Sequence, residues 1–276
     1  MVECTLVGQG RTAEVLAVES GRVLKLYRAG FPRGVAAEEA RVSRLVREAG
    51  LAAPAVFNGS ACDGLVERDD RVGILYERVE GHSMLHEAAA HPWRMRAYGR
   101  QFARLHAEMH SARIPSLQSQ RAALRRAIDR AEERFDPRLV ERARTALEGL
   151  PDGDAVCHGD FHPDNILMGP RGPVIIDWAP TKRGSADADV ARTVLLARHG
   201  GFPPGAPWRV LAPMVVARRL FSRIYLREYF ARTGRSWRDI ERWLGVVAVA
   251  RVAEGIPGES ALLARVADRH LPKPLD

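Results

Sequence analysis

Five polar or ionisable side chains fall within eight residues near the middle of the chain: His158, Asp160, His162, Asp164 and Asn165. Short apolar runs bracket them, which is typical of a loop on a rigid core, where functional residues often lie. Alternation at every second residue would place nitrogen and oxygen ligands for a metal on one face of a strand. One hypothesis is therefore a metal-dependent hydrolase that uses His158, Asp160 and His162. Pro163 argues against it, because proline disfavours a continuous strand.

The order His-x-Asp-x4-Asn fits a second chemistry, phosphoryl transfer. In that chemistry an aspartate accepts the proton of a hydroxyl group and an asparagine holds a magnesium ion. This chemistry needs a second magnesium ligand further along the chain, an aspartate. Asp177, which follows the apolar run Val174–Ile176, can supply it. Magnesium prefers such hard oxygen ligands and bridges nucleotide phosphates. The spacing thus indicates Asp160 as the base and Asn165 and Asp177 as the magnesium ligands.

Phosphoryl transfer also requires an N-terminal sheet that binds the nucleotide. Alternating apolar patterns predict strands over 5–7, 13–19, 22–28, 55–58 and 72–79, and a helix over 32–48. A Gly-x-Gly ending at Gly10 lies between the first two strands, Lys25 lies on the third, and Glu38 and Glu39 lie on the helix. Each signal alone is weak, since glycine turns and surface lysines are common. The ordered set is a much stronger indication.

The rest of the chain is mostly helical in pattern. Apolar periodicity predicts helices over 93–110, 117–135, 137–150, 187–198, 208–231 and 237–254. Residues 151–184 interrupt them as a loop-rich polar insert. We therefore expect two lobes. Residues 1–80 form a small β-sheet lobe that binds the nucleotide, and residues 81–276 form a larger helical lobe that carries catalysis and binds the acceptor.

The chain resembles the aminoglycoside phosphotransferase and choline kinase-like family. The resemblance rests on His-Gly-Asp-x-His-Pro-x-Asn at residues 158–165, on Ile-Asp-Trp at 176–178, and on shorter matches along much of the chain. It implies an α+β, bilobal, protein-kinase-like fold with a small antiparallel sheet lobe and a mainly helical C-terminal lobe. It also implies a kinase that transfers the γ-phosphoryl group of ATP, with Mg²⁺, to a hydroxyl group of an antibiotic or metabolite.

The resemblance assigns a role to each matching residue. Asp160 is implied as the catalytic base, and Asn165 and Asp177 as the Mg²⁺ ligands. Lys25 is implied to bind the α- and β-phosphates with Glu39 as its ion-pair partner, and Glu38 is the alternative partner. Further nucleotide contacts are implied for Gly10 in the phosphate loop, the Glu77 carbonyl and Val79 amide at the adenine edge, and Val23 and Ile176 on the two faces of the ring. GTP is also compatible, because the edge contacts are made by the backbone.

The acceptor is expected to be a small molecule. Only about ten residues separate Asp177 from the next predicted helix, which leaves no room for a peptide-docking segment. Residues 81–276 hold 31 basic and 22 acidic side chains, an excess of nine that disfavours a polycationic aminoglycoside. Aminoglycoside, macrolide, sugar and amino-alcohol acceptors all remain open. A non-catalytic nucleotide-binding relative is a further alternative, against which the intact set Lys25, Asp160, Asn165 and Asp177 argues.

Composition excludes several other classes. The chain of 276 residues carries a formal net charge of +8, but no basic cluster is interleaved with aromatic residues, so no nucleic-acid partner is expected. No apolar run approaches the ~20 residues needed to span a bilayer, so no membrane partner is expected. Three widely spaced cysteines, Cys4, Cys62 and Cys157, and a first segment without the features of a signal peptide predict a cytoplasmic protein. A monomer or weak dimer is expected.

Overall fold

The structure is a computed structural model that describes residues 5–19, 21–57, 65–199 and 207–273. Its chain contacts divide it into two compact units. The sheet unit, as we call it, comprises Met1–Ala90 and Pro163–Thr181, and the helical unit comprises His91–His162 and Lys182–Asp276. The division predicted from the sequence lies after residue 80 and is crossed once. In the structure the chain passes between the units three times, after Ala90, after His162 and after Thr181.

The polar insert at 151–184, predicted as part of the second lobe, is therefore divided between the units. Its central part belongs to the sheet unit through backbone hydrogen bonds. The Ile175 amide donates to the Ala52 carbonyl at 2.6 Å, and the Met168 amide donates to the His82 carbonyl at 2.8 Å. Such pairing between distant segments leaves no periodic signal in a sequence. The insert could be recognised from the sequence, but its partners could not.

Ten strands occur in the part of the chain that the structure describes. They are β1 (Thr5–Gln9), β2 (Ala13–Glu19), β3 (Arg22–Tyr27), β4 (Val56–Phe57), β5 (Leu65–Arg68), β6 (Arg71–Glu77), β7 (Ala155–Cys157), β8 (Ile166–Gly169), β9 (Gly172–Ile175) and β10 (Lys182–Gly184). The order β1-β2-β3-β6 is antiparallel throughout, and β4 and β5 pair with different parts of β6. The predicted antiparallel sheet is confirmed.

Strand β5 was not predicted, because the turn that follows it contains no glycine. Asp69 and Asp70 join β5 to β6 with φ angles of 51° and 56°, the left-handed conformation that a two-residue hairpin turn requires. Aspartate tolerates this region better than most residues do. A pair of aspartates is therefore a weaker turn signal than Asn-Gly or Asp-Gly.

Nine α-helices occur among the described residues. They are α1 (Arg33–Glu48), α2 (Met84–Ala90), α3 (Met95–Ser111), α4 (Gln120–Ala131), α5 (Pro137–Gly149), α6 (Ala186–His199), α7 (Trp208–Thr233), α8 (Trp237–Val252) and α9 (Ser260–His270). All seven predicted helices are present with shifted ends, and α2 and α9 are additional. None of the helices within the described ranges is long and apolar enough to cross a membrane.

Each unit has its own apolar core. In the sheet unit, Ala36 and Ala40 of α1 are buried with Leu65, Ile74 and Tyr27 of the strands. In the helical unit, α3 packs against α7, and α8 packs against α4, α6 and α9. The core of the sheet unit includes residues of β3 and α1, and the helical unit packs α3 and α6 against α7. These are among the elements that carry the candidate functional residues.

Candidate active site

The β8–β9 hairpin carries both proposed metal ligands of the sheet unit. Ile166, the residue after Asn165, pairs with Ile175, and the Ile176 amide donates to the Asn165 carbonyl at 2.9 Å. This antiparallel register places Asn165 and Asp177 at the same open end of the hairpin. Asp177 has a φ of 63°, an uncommon backbone conformation for a residue other than glycine. Residues held in such conformations cluster at functional sites.

Lys25 joins the hairpin to the sheet and to α1. Its ammonium group donates to Glu39 at 2.7 Å and to Asp177 at 2.9 Å. Burial alone would lower the pKa of Lys25, but the two carboxylates outweigh it and raise the pKa, so the side chain is a cation at neutral pH. Lys25 is thus a positive charge held between the buried Glu39 and the exposed Asp177.

Glu39 is the buried partner in this arrangement, at 3% exposure. Besides Lys25, it accepts hydrogen bonds from the hydroxyl groups of Tyr27 and Tyr76. Glu38 instead pairs with Arg41 on the outer face of α1, at 2.7 Å. The alternatives Glu38 and Glu39 are therefore separated by helix geometry, since adjacent residues of a helix point about 100° apart.

The proposed nucleotide contacts lie on the same unit. Gly10 lies in the β1–β2 turn, where its amide donates to the Ala13 carbonyl at 2.8 Å. Val23 lies on β3 opposite Tyr76, and Ile176 follows β9 directly. Glu77 ends β6, and Val79 lies two residues beyond it. The structure brings all of these residues into the sheet unit together with Lys25, Glu39, Asn165 and Asp177.

The loop 158–162, which we call the base loop, lies in the helical unit and is held by one face of α6. Asp189 accepts hydrogen bonds from the amides of His158 and Gly159, both at 2.8 Å. Arg192 donates to the Gly159 carbonyl at 3.1 Å, and Thr193 donates to the Phe161 carbonyl at 3.0 Å. Spacings of three and four residues place these three side chains on one helical face. Helix α6 therefore fixes the backbone on both sides of Asp160.

Asp160 itself is poised as an ionised acceptor. Burial tends to raise its pKa, but the hydrogen bond and charge of His162, and then the charge of Arg192, lower it below the usual aspartate value. His162 lies 3.4 Å from the carboxylate. The Asp160 amide donates to Nδ1 of the fully buried His158, at 3.2 Å. His158 therefore supports the loop from within, and Asp160 is a carboxylate able to take a proton.

A sequence profile of the phosphotransferase enzyme family matches residues 3–212. The chain belongs to the phosphotransferase enzyme family. The predicted family, and the predicted class of enzyme that transfers a phosphoryl group to an alcohol, are confirmed. A comparison of the phosphotransferase with curated proteins finds no match.

Solved structures are similar to the phosphotransferase along nearly its whole length. A thermostable mutant of aminoglycoside phosphotransferase APH(4)-Ia, in ternary complex with AMP-PNP and hygromycin B, is 14% identical with a TM-score of 0.68, over 97% of this chain and 92% of that one. A choline/ethanolamine kinase family protein from Mesorhizobium loti is 17% identical with a TM-score of 0.55, over 97% and 85%. Macrolide 2'-phosphotransferase MphH from Brachybacterium faecium is 17% identical with a TM-score of 0.52, over 99% and 93%. At these identities the likeness shows the fold, and the predicted protein-kinase-like fold is confirmed.

The structure does not support the hypothesis of a metal-dependent hydrolase. The ring of His158 is buried and accepts the Asp160 amide, whereas Asp160 and His162 are partly exposed. Within the described ranges, His158, Asp160 and His162 do not form a cluster of ligand atoms. Pro163 begins a short 3₁₀ turn, so the alternating pattern never forms the strand that would have aligned these side chains.

Several supporting residues of the phosphotransferase were missed by sequence reasoning. Tyr27 and Tyr76 hold Glu39, and Arg192 and Thr193 hold the base loop. The i, i+3, i+4 pattern of Asp189, Arg192 and Thr193 on a predicted helix was an available signal for one polar face. Cys157 is buried and forms no disulfide with another described residue. Cys4 and Cys62 lie outside the described residues.

Proposed function

We propose that the protein is a magnesium-dependent small-molecule kinase that transfers the γ-phosphoryl group of ATP to a hydroxyl group. The observation that carries the proposal is the position of Lys25, whose ammonium lies 2.7 Å from Glu39 and 2.9 Å from Asp177. A buried lysine–glutamate pair beside an exposed aspartate is the arrangement that phosphoryl transfer needs for holding nucleotide phosphates. GTP is compatible with the same contacts.

The residues at the open end of the hairpin fit a magnesium ion. The Asn165 amide and the Asp177 carboxylate offer hard oxygen atoms, and the Asp177 side chain is 41% exposed and open to a ligand. When bound there, Mg²⁺ neutralises charge on the nucleotide phosphates. Lys25 binds the α- and β-phosphates, and Glu39 keeps Lys25 in place. Val23 and Ile176 contact the adenine ring, the backbone of Glu77 and Val79 binds its edge, and Gly10 lies at the phosphates.

Asp160 is the catalytic base in this proposal. It orients the acceptor hydroxyl and accepts its proton as the oxygen attacks the γ-phosphorus. Little covalent chemistry falls to the protein, so positioning of the carboxylate matters more than its basicity. The hydrogen bonds from α6 to both sides of Asp160 support this role, because they leave the loop little freedom.

The acceptor is a small molecule with a hydroxyl group. The proteins of similar structure differ in the molecules that they are described with. One is in complex with hygromycin B, one is a macrolide 2'-phosphotransferase, and one belongs to the choline/ethanolamine kinase family. Arg192 and Arg251 interact with Asp160, but both are also paired with Glu254, and Arg251 with Glu259 as well. The basic excess of residues 81–276 disfavours a polycationic acceptor and favours neutral or singly charged alcohols.

The test is ADP release with ATP and Mg²⁺ across a panel of macrolides, sugars, amino alcohols and aminoglycosides. Asp160→Asn keeps the size of the side chain but removes the base, so turnover should fall by roughly 10²–10⁴-fold. Asp154→Asn, at an exposed aspartate of the same unit, is the matched control and should leave turnover unchanged. Unchanged turnover in Asp160→Asn would refute the assignment of the base. If no panel member is phosphorylated although ATP and Mg²⁺ bind, the non-catalytic alternative gains support.

A further inference from the structure

A buried hydrogen-bond network lies behind Asp189 in the helical unit. Nε2 of His106 and Nε2 of His110 each lie 3.2 Å from the same oxygen, Oδ2 of Asp189. Nδ1 of His106 lies 2.8 Å from the Tyr225 hydroxyl, and Nδ1 of His110 lies 2.7 Å from the Tyr229 hydroxyl. All five side chains are buried. The two histidines are four residues apart on α3, and the two tyrosines are four apart on α7.

The donors and acceptors in this network are determined by Asp189. Burial tends to raise its pKa, but the hydrogen bonds from both histidines lower it well below the usual value, so the carboxylate is ionised. An ionised carboxylate only accepts hydrogen bonds, so both Nε2 atoms must donate. For His106, burial and then the neighbouring His110 lower the pKa to about 3 against the opposing effect of Asp189, so the ring is neutral and its Nδ1 accepts from Tyr225.

Four donors thus converge on one buried carboxylate: two histidine rings and the amides of His158 and Gly159. Three of these donors reach Oδ2 and the Gly159 amide reaches Oδ1, so both oxygens of the carboxylate are hydrogen-bonded. Removing one histidine donor takes away one hydrogen bond from a buried charge, which is costly in a low-dielectric interior. Since the other two donors are backbone groups of the base loop, any shift of Asp189 moves that loop.

We infer that His106, His110, Tyr225 and Tyr229 are positioning residues, which orient Asp189 and through it hold the backbone before Asp160 in its active conformation. The inference rests on the proposed function, in which Asp160 is the base. None of the four residues touches the reacting atoms in this assignment. His106 has an additional contact, because its ring stacks on Phe161 of the base loop at a centroid distance of 4.1 Å. His110 therefore reports on the hydrogen bonds alone more cleanly than His106 does.

The experiment compares His110→Phe with His110→Gln. Phenylalanine fills the space without a donor, whereas the glutamine amide can donate to Asp189. His110→Phe should lower kcat by about 10- to 100-fold, from the loss of one hydrogen bond to a buried charged group, with an unchanged KM for ATP. His110→Gln should recover kcat to within about fivefold, since one neutral hydrogen bond is restored. Tyr229→Phe should fall between the two.

Tyr98→Phe is the matched control, because Tyr98 is also buried on α3 but its hydroxyl has no hydrogen-bond partner among the residues that the structure describes. It should leave kcat unchanged. Equal kcat values for the two His110 variants would overturn the inference, since only packing would then matter. One equivalent of bound zinc, ligated by both histidines, would also overturn it, because Nε2 atoms bound to a metal cannot donate hydrogen bonds.

A second readout separates this inference from the proposed function. Amide hydrogen exchange of the peptide covering residues 155–162 needs no acceptor, and His110→Phe should accelerate it while Tyr98→Phe should not. If exchange is faster in His110→Phe but turnover is unchanged in Asp160→Asn, the assignment of Asp160 as the base is refuted and the inference about the network is retained. Unchanged exchange and kcat in His110→Phe, with an inactive Asp160→Asn, would refute the network alone.

Discussion

The isosteric substitution Glu39→Gln tests the assignment of the lysine partner most directly. It keeps the volume of a side chain that is 3% exposed but removes the charge facing Lys25. Breaking a buried ion pair costs about 3–5 kcal/mol in the free energy of unfolding. We expect the lower end, about 3 kcal/mol, because Asp177 remains 2.9 Å from Lys25 and still stabilises the cation. With its amide oxygen toward Lys25 and Tyr76, glutamine would also place an amide nitrogen beside the Tyr27 hydroxyl, and that nitrogen cannot accept a hydrogen bond.

Glu38→Gln is the matched control on the same helix. Its partner Arg41 is three residues away, and both side chains are partly exposed, at 28% for Glu38 and 39% for Arg41. Exposed helical pairs of this kind contribute about 0.3–0.5 kcal/mol. The melting temperature Tm should therefore fall by roughly 6–12 °C in Glu39→Gln and by at most about 2 °C in Glu38→Gln.

Nucleotide affinity gives a second measurement on the same two variants. Glu39→Gln should raise the Kd for ATP with Mg²⁺ by about tenfold, the equivalent of 1.4 kcal/mol, because Lys25 is less firmly held. Glu38→Gln should leave it unchanged. Equal losses of stability in the two variants, or a larger effect on ATP binding in Glu38→Gln, would refute the pairing of Lys25 with Glu39.

Three further outcomes are expected. Stabilisation by ATP in a thermal shift assay should depend on Mg²⁺ and disappear in EDTA. Asp177→Asn, whose asparagine tolerates the same backbone conformation, should abolish the Mg²⁺-dependent part of the stabilisation. Equal stabilisation with and without Mg²⁺ would contradict the assignment of Asn165 and Asp177 as ligands. Because the lowered pKa of Asp160 keeps it ionised until the pH falls through that pKa, His162→Phe should shift the acidic limb of kcat/KM to higher pH; an unmoved limb would contradict the role of His162. Gly81→Ala should destabilise the protein by about 1–3 kcal/mol, because the new Cβ would lie 2.3 Å from the Met168 carbonyl oxygen; unchanged stability in urea denaturation would show that the hairpin can yield there.

Much of the secondary structure of the phosphotransferase could be predicted from local patterns. Strands β2 and β3 and helix α1 occur within one or two residues of the predicted positions. Helix α5 begins at Pro137 with Asp136 capping its first turn, as the Asp-Pro pair indicates. Short elements without such signals were missed, as β5 and α2 show. Their existence depends on pairing or packing partners rather than on their own residues.

The candidate site divides in the same way. The order of Lys25, Asp160, Asn165 and Asp177 along the chain indicates phosphoryl transfer because that chemistry needs a cation, a base and two oxygen ligands in defined surroundings. The individual roles stay predictions until the variants are measured. The choice between Glu38 and Glu39 required coordinates, since an error of one residue rotates a helical side chain by about 100°.

The sequence by itself determined the family, the kinase-like fold and the chemistry-bearing loop, because these depend on residue types at short, covalently fixed spacings. Only the tertiary structure decided that residues 163–181 belong to the sheet unit. It also decided that two histidines hydrogen-bond Asp189 and are themselves hydrogen-bonded to two tyrosines. His106 and Tyr225 are 119 residues apart in the chain. Contacts across such distances are selected by the packing of whole helices against one another, and no local pattern of residues specifies them.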